Sequence, residues 1–310
     1  MRNKKLILII VLLLILTGCT KTLKDNETNK IVKNPATGQN LTENILCRPK
    51  DKGTIDIYKK YPKKVNLEKL PECEKFKVNS GSYEGLWATI FVKPLAFLII
   101  KIGNLVSNYG IALIITSLLI RLLTYPVTRK TALQSELIKK AKPEIDKLEE
   151  KYKDKTDHES VMQKSQEMSK IYQKYKINPL SSCLFAFLQI PLFIAFLEAI
   201  NRVPAIFEEV LLSIQLGTTP LIAFQNGNWQ YLIIIILVAV TTIFSFKLNS
   251  SVVDNKQSKM MTNMMGITIT FMSLFMSSAL GIYWISSNLF TIVQNMIVKK
   301  EKTTWKSIIM

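Results

Sequence analysis

One arginine inside an apolar run constrains this chain more than any other feature. Residues 109–127 read Tyr-Gly-Ile-Ala-Leu-Ile-Ile-Thr-Ser-Leu-Leu-Ile-Arg-Leu-Leu-Thr-Tyr-Pro-Val, close to the roughly 20 apolar residues that a helix needs to cross a bilayer. At about 1.5 Å per residue, Arg121 lies roughly 18 Å from Tyr109 and about 12 Å from the Arg129-Lys130 pair. Its guanidinium is charged at any relevant pH. Placing one in hydrocarbon costs about 3 kcal/mol on insertion scales, so such a residue faces the protein interior or a wet cavity. The alternative is that Arg121 snorkels to the headgroups along its own alkyl stem.

The rest of the chain has to be read with that span. The sequence is 48% hydrophobic yet carries a formal net charge of +18 over 310 residues. This pairing fits a polytopic membrane protein with lysine-rich cytoplasmic loops. Nucleic-acid binding accounts for it less well, because the lysines fall between apolar runs of spanning length and not on one soluble domain. The N-terminus predicts a secretory signal over 1–18, with Arg2, Lys4 and Lys5 ahead of an apolar stretch. It ends in Leu16-Thr17-Gly18-Cys19, which resembles a lipobox. Lipidation at Cys19 would start the mature chain outside the cell membrane, where two acyl chains supply a stable anchor. An uncleaved anchor helix is the competing reading.

Residues 19–85 are polar and lysine-rich and predict an extracytoplasmic lipidated tether, flexible to about residue 44, with a small ordered element after it. Cys47 and Cys73 lie there with enough chain between them for a disulfide in an oxidising environment. Residues 86–108 show helical periodicity with a polar edge, and Lys93, Pro94 and Lys101 favour an interfacial amphipathic helix over a crossing one. The first span, 109–128, ends at Pro126. Residues 129–178 then predict a cytoplasmic helical hairpin with arms at 129–153 and 158–176. Its apolar positions, Leu133, Leu137, Ile145 and Leu148, are set to face Val161, Met162, Met168, Ile171 and Tyr175, and Pro143 to kink the first arm. Two narrow helices bury too little surface to shape an enzyme pocket.

Further spans are expected at 179–200, 229–247, 260–277 and 279–298. An outer loop at 201–228, a cytoplasmic loop at 248–259 and a cytoplasmic tail at 299–310 connect and end them. This all-α, five-helix arrangement starts outside and ends inside, in agreement with the charges of its loops. Glu198 and Arg202, four residues apart, suggest an exposed ion pair at the outer interface, and His158 a solvated hairpin tip. Chemistry-bearing patterns are missing from the sequence: it has no paired histidines, no Cys-x-x-Cys, no phosphate-cradling glycine loop and no Ser/His/Asp set with a usable histidine. Neither an enzyme nor a nucleotide or metal cofactor is expected. The polar residues inside the spans, including Ser117, Gln189, Tyr283, Trp284, Ser287, Asn288 and Gln294, suit a polar cavity or interhelical bonding.

Three blocks of sequence now carry a resemblance. They run from Gly110 through Arg121 to Pro126, from Lys176-Ile177-Asn178-Pro179-Leu180 to Gln189-Ile190-Pro191-Leu192-Phe193, and from Gly281-Ile282-Tyr283-Trp284 to Gln294. In this order and spacing they resemble the YidC-type membrane protein insertases, relatives of the mitochondrial oxidase-assembly insertase and the thylakoid Albino proteins. The lipobox resembles the branch found in bacteria with a single membrane. The resemblance implies a five-helix core around a groove open to cytoplasm and lipid, with Arg121 at its centre. Ser117, Gln189, Tyr283, Trp284 and Asn288 would line it. Ser117 stands where relatives often carry threonine, and Glu198 where an aromatic or apolar residue is expected. The implied partners are nascent membrane proteins and membrane lipid, with the Sec translocon, the ribosome and the signal recognition particle pathway as further candidates. A small-anion channel or carrier, or a lipoprotein whose spans merely anchor an outer domain, remain as alternatives.

Overall fold

The structure is a computed structural model that describes residues 20–178, 180–249 and 256–309; at 180–188, 249, 256–259, 261–262 and 300–309 it describes backbone alone. The signal sequence and Cys19 lie outside the described residues. The chain forms two compact units, the first comprising 1–119, 190–236 and 271–286 and the second 120–189, 237–270 and 287–310.

In the first unit, residues 20–44 are not a bare tether. They fold back on themselves through antiparallel bridges at Thr22–Thr42, Lys24–Ile31 and Lys33–Asn40. Leu23 and Leu41 are thereby turned inward, into one apolar cluster with Ile45, Tyr58 and Val65. These few large apolar residues suffice because each is almost fully buried, at about 1.5–3 kcal/mol per side chain removed from water. Helix α1 (Lys52–Lys59) begins at Asp51, whose carboxylate accepts from Thr54 N–H at 2.7 Å, an N-cap of the ordinary kind. Tyr58 on α1 donates to the Thr42 carbonyl at 3.0 Å, and burial pushes its phenol up to about 12. Cys47 and Cys73 are bonded, 26 residues apart in sequence; closing such a loop restricts the unfolded chain by about 3.5 kcal/mol in the entropic account.

A wide helical turn over Ala88–Val92 leads into α2 (Lys93–Val106). Trp87, Val92, Leu95, Ala96, Ile99 and Ile100 are buried, while Leu86, Ile90, Phe91 and Leu105 of the expected apolar stripe are exposed. Lys93, expected on the polar edge, is instead buried, and its ammonium donates to the Ser80 and Ser82 carbonyls at 2.8 and 2.9 Å. By length and composition Ala88–Val106 could itself cross a membrane, as could Tyr109–Lys151 and Trp229–Leu248. Gly103 near the end of α2 is needed as glycine: a Cβ there would stand 2.5 Å from the Tyr109 ring.

Helix α3 (Tyr109–Lys151) does not stop at Pro126. It continues through both Pro126 and Pro143, so the expected span and hairpin arm are one helix. A proline deletes one ladder bond, but neighbouring hydroxyls hold the backbone near it: Thr124 donates to the Ile120 and Arg121 carbonyls and Thr128 to those of Thr124 and Tyr125. Long apolar helices tolerate proline where such groups support the turn. In the second unit α3 pairs with α4 (His158–Lys174). Ile138, Ala141, Ile145 and Ile177 form the buried seam, backed by Leu137, Met168, Ile171, Tyr172 and Tyr175. Val161 and Met162, expected in the seam, are instead half exposed, because they lie towards the hairpin tip.

Helix α5 (Leu180–Arg202) is followed in the first unit by α6 (Pro204–Glu208), a hairpin of β1 (Val210–Leu211) and β2 (Ile214–Gln215), and α7 (Pro220–Gln225). Glu198 and Arg202 are buried, at 3% and 1% exposure, and take separate partners. Arg202 pairs with Glu84 and donates to the Asn44 carbonyl at 2.7 Å, while Glu198 accepts from the Trp87 indole at 3.0 Å. The expected surface pair is thus replaced by two buried ties to the chain before α2. Glu208 accepts from the N–H groups of Lys50 and Asp51 at 2.7 and 2.9 Å, and burial raises its carboxyl above the usual range.

Helix α8 (Leu232–Asn249) precedes α9 (Lys256–Ser273) and α10 (Ser278–Ile309). The reversal between α9 and α10 occupies 274–277, just ahead of the position expected from Ser-Ser-Ala-Leu-Gly, since Ser278 to Gly281 already form the first turn of α10. Thr218 fixes it by accepting from Ser278 N–H and Oγ at 3.0 and 2.8 Å. The expected tail at 299–310 is a continuation of α10 to Ile309.

Asp25 provides a test of the folded 20–85 element. Its carboxylate accepts from the backbone N–H of Thr28 at 2.9 Å, the Tyr61 hydroxyl at 2.8 Å and the Thr28 hydroxyl at 2.9 Å, which hold it far below the usual carboxylate range. A pKa lower in the folded than in the unfolded chain contributes stability at neutral pH that is lost as pH falls below about 4. Protease resistance of this element should therefore drop on acidification. Asp25→Asn should lower the neutral-pH resistance and flatten the pH dependence.

Candidate functional site

The site is built on α3, α8 and α10, and begins with Arg121. Only 5% of this residue is exposed. Its Nε donates to the Ser287 hydroxyl on α10 at 2.7 Å, and Nη2 contacts the same oxygen. Seven residues further along each helix, Thr128 donates to Gln294 Oε1 at 3.0 Å. Equal steps on both partners mean that α3 and α10 run in the same direction, with two rungs about 10 Å apart. Two spans entering from the same side, as the sequence predicts for the first and the fifth, would do this.

On the neighbouring face of α10, Asn288 donates through Nδ2 to Thr242 Oγ1 at 3.0 Å and Thr241 Oγ1 at 3.4 Å on α8. Ser287, Thr291 and Gln294 recur at steps of four and three, which puts them on one helical face. Each is under 9% exposed, as are Thr128, Thr131 and Ser135 on α3. A buried polar layer therefore runs along helices whose other faces present Leu122, Leu123, Val240, Ile243 and Val293 outward. Hydroxyls and amides can meet a guanidinium's donors without cancelling its charge. The arrangement can hold a positive charge in an apolar region and offer it to an anionic group. Among the described residues no cluster of three His, Cys, Asp or Glu could hold a metal ion.

Of the six residues singled out in the sequence as groove-lining, Arg121, Gln189 and Asn288 fall in the second unit, and Ser117, Tyr283 and Trp284 in the first. Arg121 and Asn288 join the polar layer just described, and Gln189 is half-buried on α5. In the first unit Ser117 is buried and donates to its own helix at the Ile114 carbonyl, 2.8 Å away. Tyr283 stacks on Phe196 with ring centres 4.2 Å apart, and Trp284 leans on Phe193 at 5.0 Å. Sequence reasoning named Ser287 only among the polar residues of the spans and did not name Thr241 or Thr242. Their signal was present as helical spacing of small hydroxyl residues, but such residues are common in membrane helices for packing alone.

The fold and this layer define an all-α integral membrane protein with a charged residue lodged among its helices. Comparison with known proteins then places it. Residues 101–305 match the family model described as 60Kd inner membrane protein. The chain is similar to the membrane protein insertase YidC of Oceanobacillus iheyensis, 32% identical over 226 residues, covering 70% of this chain and 85% of the relative. It is also similar to membrane protein insertase YidC 2 of Bacillus anthracis, 35% identical over 69% of this chain and 82% of the relative. Membrane protein insertase MisCA of Bacillus subtilis is 34% identical over 69% of this chain and 79% of the relative. The chain belongs to the 60Kd inner membrane protein family, that of the YidC-type insertases.

The Arg121–Ser287 contact can be measured. Removing the acceptor with Ser287→Ala should destabilise the purified protein by about 1–3 kcal/mol, as expected for a buried charged donor losing its partner. In an Arg121→Met background the same serine change should cost close to nothing, a difference that a double-mutant cycle of thermal unfolding reads directly.

Proposed function

We propose that this chain is a membrane protein insertase that lowers the barrier to moving short polar tails across the bilayer. The observation that carries the reading is Arg121, a permanent charge buried on a helix of spanning length and bonded to the Ser287 hydroxyl of α10. Kinship with proteins named as membrane protein insertases supports it. Each unsatisfied polar group of a substrate tail costs several kcal/mol in hydrocarbon. A wet, positively charged groove reaching partway across shortens that path. Arg121 draws in acidic tail residues, and the apolar segment behind them then slides into lipid, driven by its own burial.

In this reading five helices (within 109–128, 179–200, 229–247, 260–277 and 279–298) surround the groove. Ser117, Gln189, Tyr283, Trp284 and Asn288 line it with Arg121. The protein resides in the cell membrane, lipidated at Cys19 on the outer face, with its C-terminus in the cytoplasm. The 129–178 hairpin receives the nascent chain or its targeting factors, the ribosome and the signal recognition particle pathway among them, and the Sec translocon is a candidate neighbour. No step needs a nucleotide. The Cys47–Cys73 bond fits a location outside the reducing cytoplasm. A solute channel is the weaker reading, since kinship points elsewhere.

Depletion of the protein should leave the tails of small one- and two-span substrates inaccessible to external protease. Arg121→Ala should restore their insertion at least fivefold less well than the wild type for acidic tails, and Arg121→Lys better than alanine. Deletion of 20–80 should largely spare insertion. Loss of solute conductance in Arg121→Ala with insertion unchanged would instead support a channel.

A further inference from the structure

The hairpin Val210–Gln215 breaks two local rules at once. Leu212 and Ser213 form its turn with φ of 48° and 67°, a left-handed pair that favours Asn-Gly, and a leucine there is strained. That same leucine is 89% exposed. A residue that is both in the wrong conformation for its type and bare to solvent is a local inconsistency of the kind found at functional surfaces.

The hairpin's anchorage indicates what covers it. On one side it is tied to the start of α3: Asn108 donates to the Val210 carbonyl at 3.1 Å, and Tyr109 N–H donates to Glu209 at 3.1 Å. Gly110 leaves room for Leu211, which a Cβ would meet at 2.9 Å. On the other side it is tied to the start of the stretch leading into α8. Gln230 donates to the Ser213 carbonyl at 3.0 Å, and Gln215 N–H donates to the Tyr231 hydroxyl at 3.0 Å. Both ties are made at the first residues of stretches long and apolar enough to cross a membrane. A hairpin clamped to the same end of two spans stands where hydrocarbon gives way to headgroups. Trp229, 69% exposed, is in the same place, as tryptophans at that level are. Leu105, 83% exposed, lies three residues before Asn108.

We propose that the 210–215 hairpin is a lipid-contacting wedge, with Leu212 inserted into the bilayer interface beside the first turns of the two spans. Its occupant is the acyl–headgroup boundary of the lipid itself. Beside the bare leucine, the first turns of α3 and α8 themselves carry the exposed apolar residues Ile111, Leu232 and Ile233, as a surface against lipid requires. The proposal rests on those two helices crossing the membrane, and adds that this hairpin sits in lipid as well.

The full chain with Leu212→Cys and Cys183→Ser, carrying an environment-sensitive fluorophore on residue 212, is reconstituted in phosphatidylcholine–phosphatidylglycerol vesicles. Parallel labels at Leu122 (lipid-facing on α3) and Lys52 (on α1) serve as references, and Val210→Cys as a second hairpin site. Aqueous iodide and lipids bearing a shallow nitroxide are the quenchers. The expected result is that the hairpin labels are quenched at least twofold more by the shallow nitroxide, and at least twofold less by iodide, than the Lys52 label. Iodide quenching equal to that at Lys52, with Leu122 still lipid-quenched, would overturn the wedge while leaving the spans intact. Protection from both quenchers would also overturn it, by showing that protein covers the tip. An aqueous Leu122 label would defeat the membrane-crossing reading on which the proposal stands.

Discussion

A guanidinium that cannot lose its proton is kept 95% buried among apolar helices, and much of the second unit is arranged around that fact. Ser287 meets Arg121 directly, and the rung from Thr128 to Gln294 holds the same two helices in register one stage further on. Asn288 then extends the layer to Thr241 and Thr242 on α8. Hydroxyls and amides are well suited to this work. They satisfy donors in low dielectric, where an unmet group is expensive.

The first unit solves a different problem. A short polar segment with few large apolar residues has to be held in one place, and it is held by ties of several kinds. Leu23, Leu41 and Tyr58 supply a small core, the Cys47–Cys73 bond closes the loop between the two cysteines, and Arg202 and Glu198 reach from α5 to Asn44, Glu84 and Trp87. Burying an ion pair such as Arg202–Glu84 is costly unless its remaining groups are met, and the Asn44 carbonyl helps to meet them. The result is a folded element fastened to the end of α5.

Much of this could be read from residues alone where the signal was periodic or categorical. The α3–α4 pairing through Leu137, Ile145, Met168 and Ile171 was legible because helical spacing is local, whereas on α2 the expected stripe and polar edge changed places at Leu86, Ile90, Phe91 and Lys93. Pro126 misled, since a single proline looks like a stop until the hydroxyls around it are placed. Residues 20–44 misled for the opposite reason. Leu23, Val32 and Leu41 are too sparse to signal a core until the chain folds back and brings them together. Glu198 and Arg202, four apart on one helix, looked like each other's partner, and only the packing of distant segments showed that each has another.

By itself, then, the sequence determined that this chain is a helical membrane protein with a charge in its first span, and which family it resembles, because hydropathy runs, loop charges and motif order need no third dimension. The tertiary structure alone decided which hydroxyl receives Arg121, that α3 runs unbroken from span to hairpin, and that a leucine stands bare at a turn beside the ends of two spans. The first of those facts depends on a contact between residues more than 100 positions apart, as Arg121 and Ser287 are, and no local pattern encodes a distance of that kind.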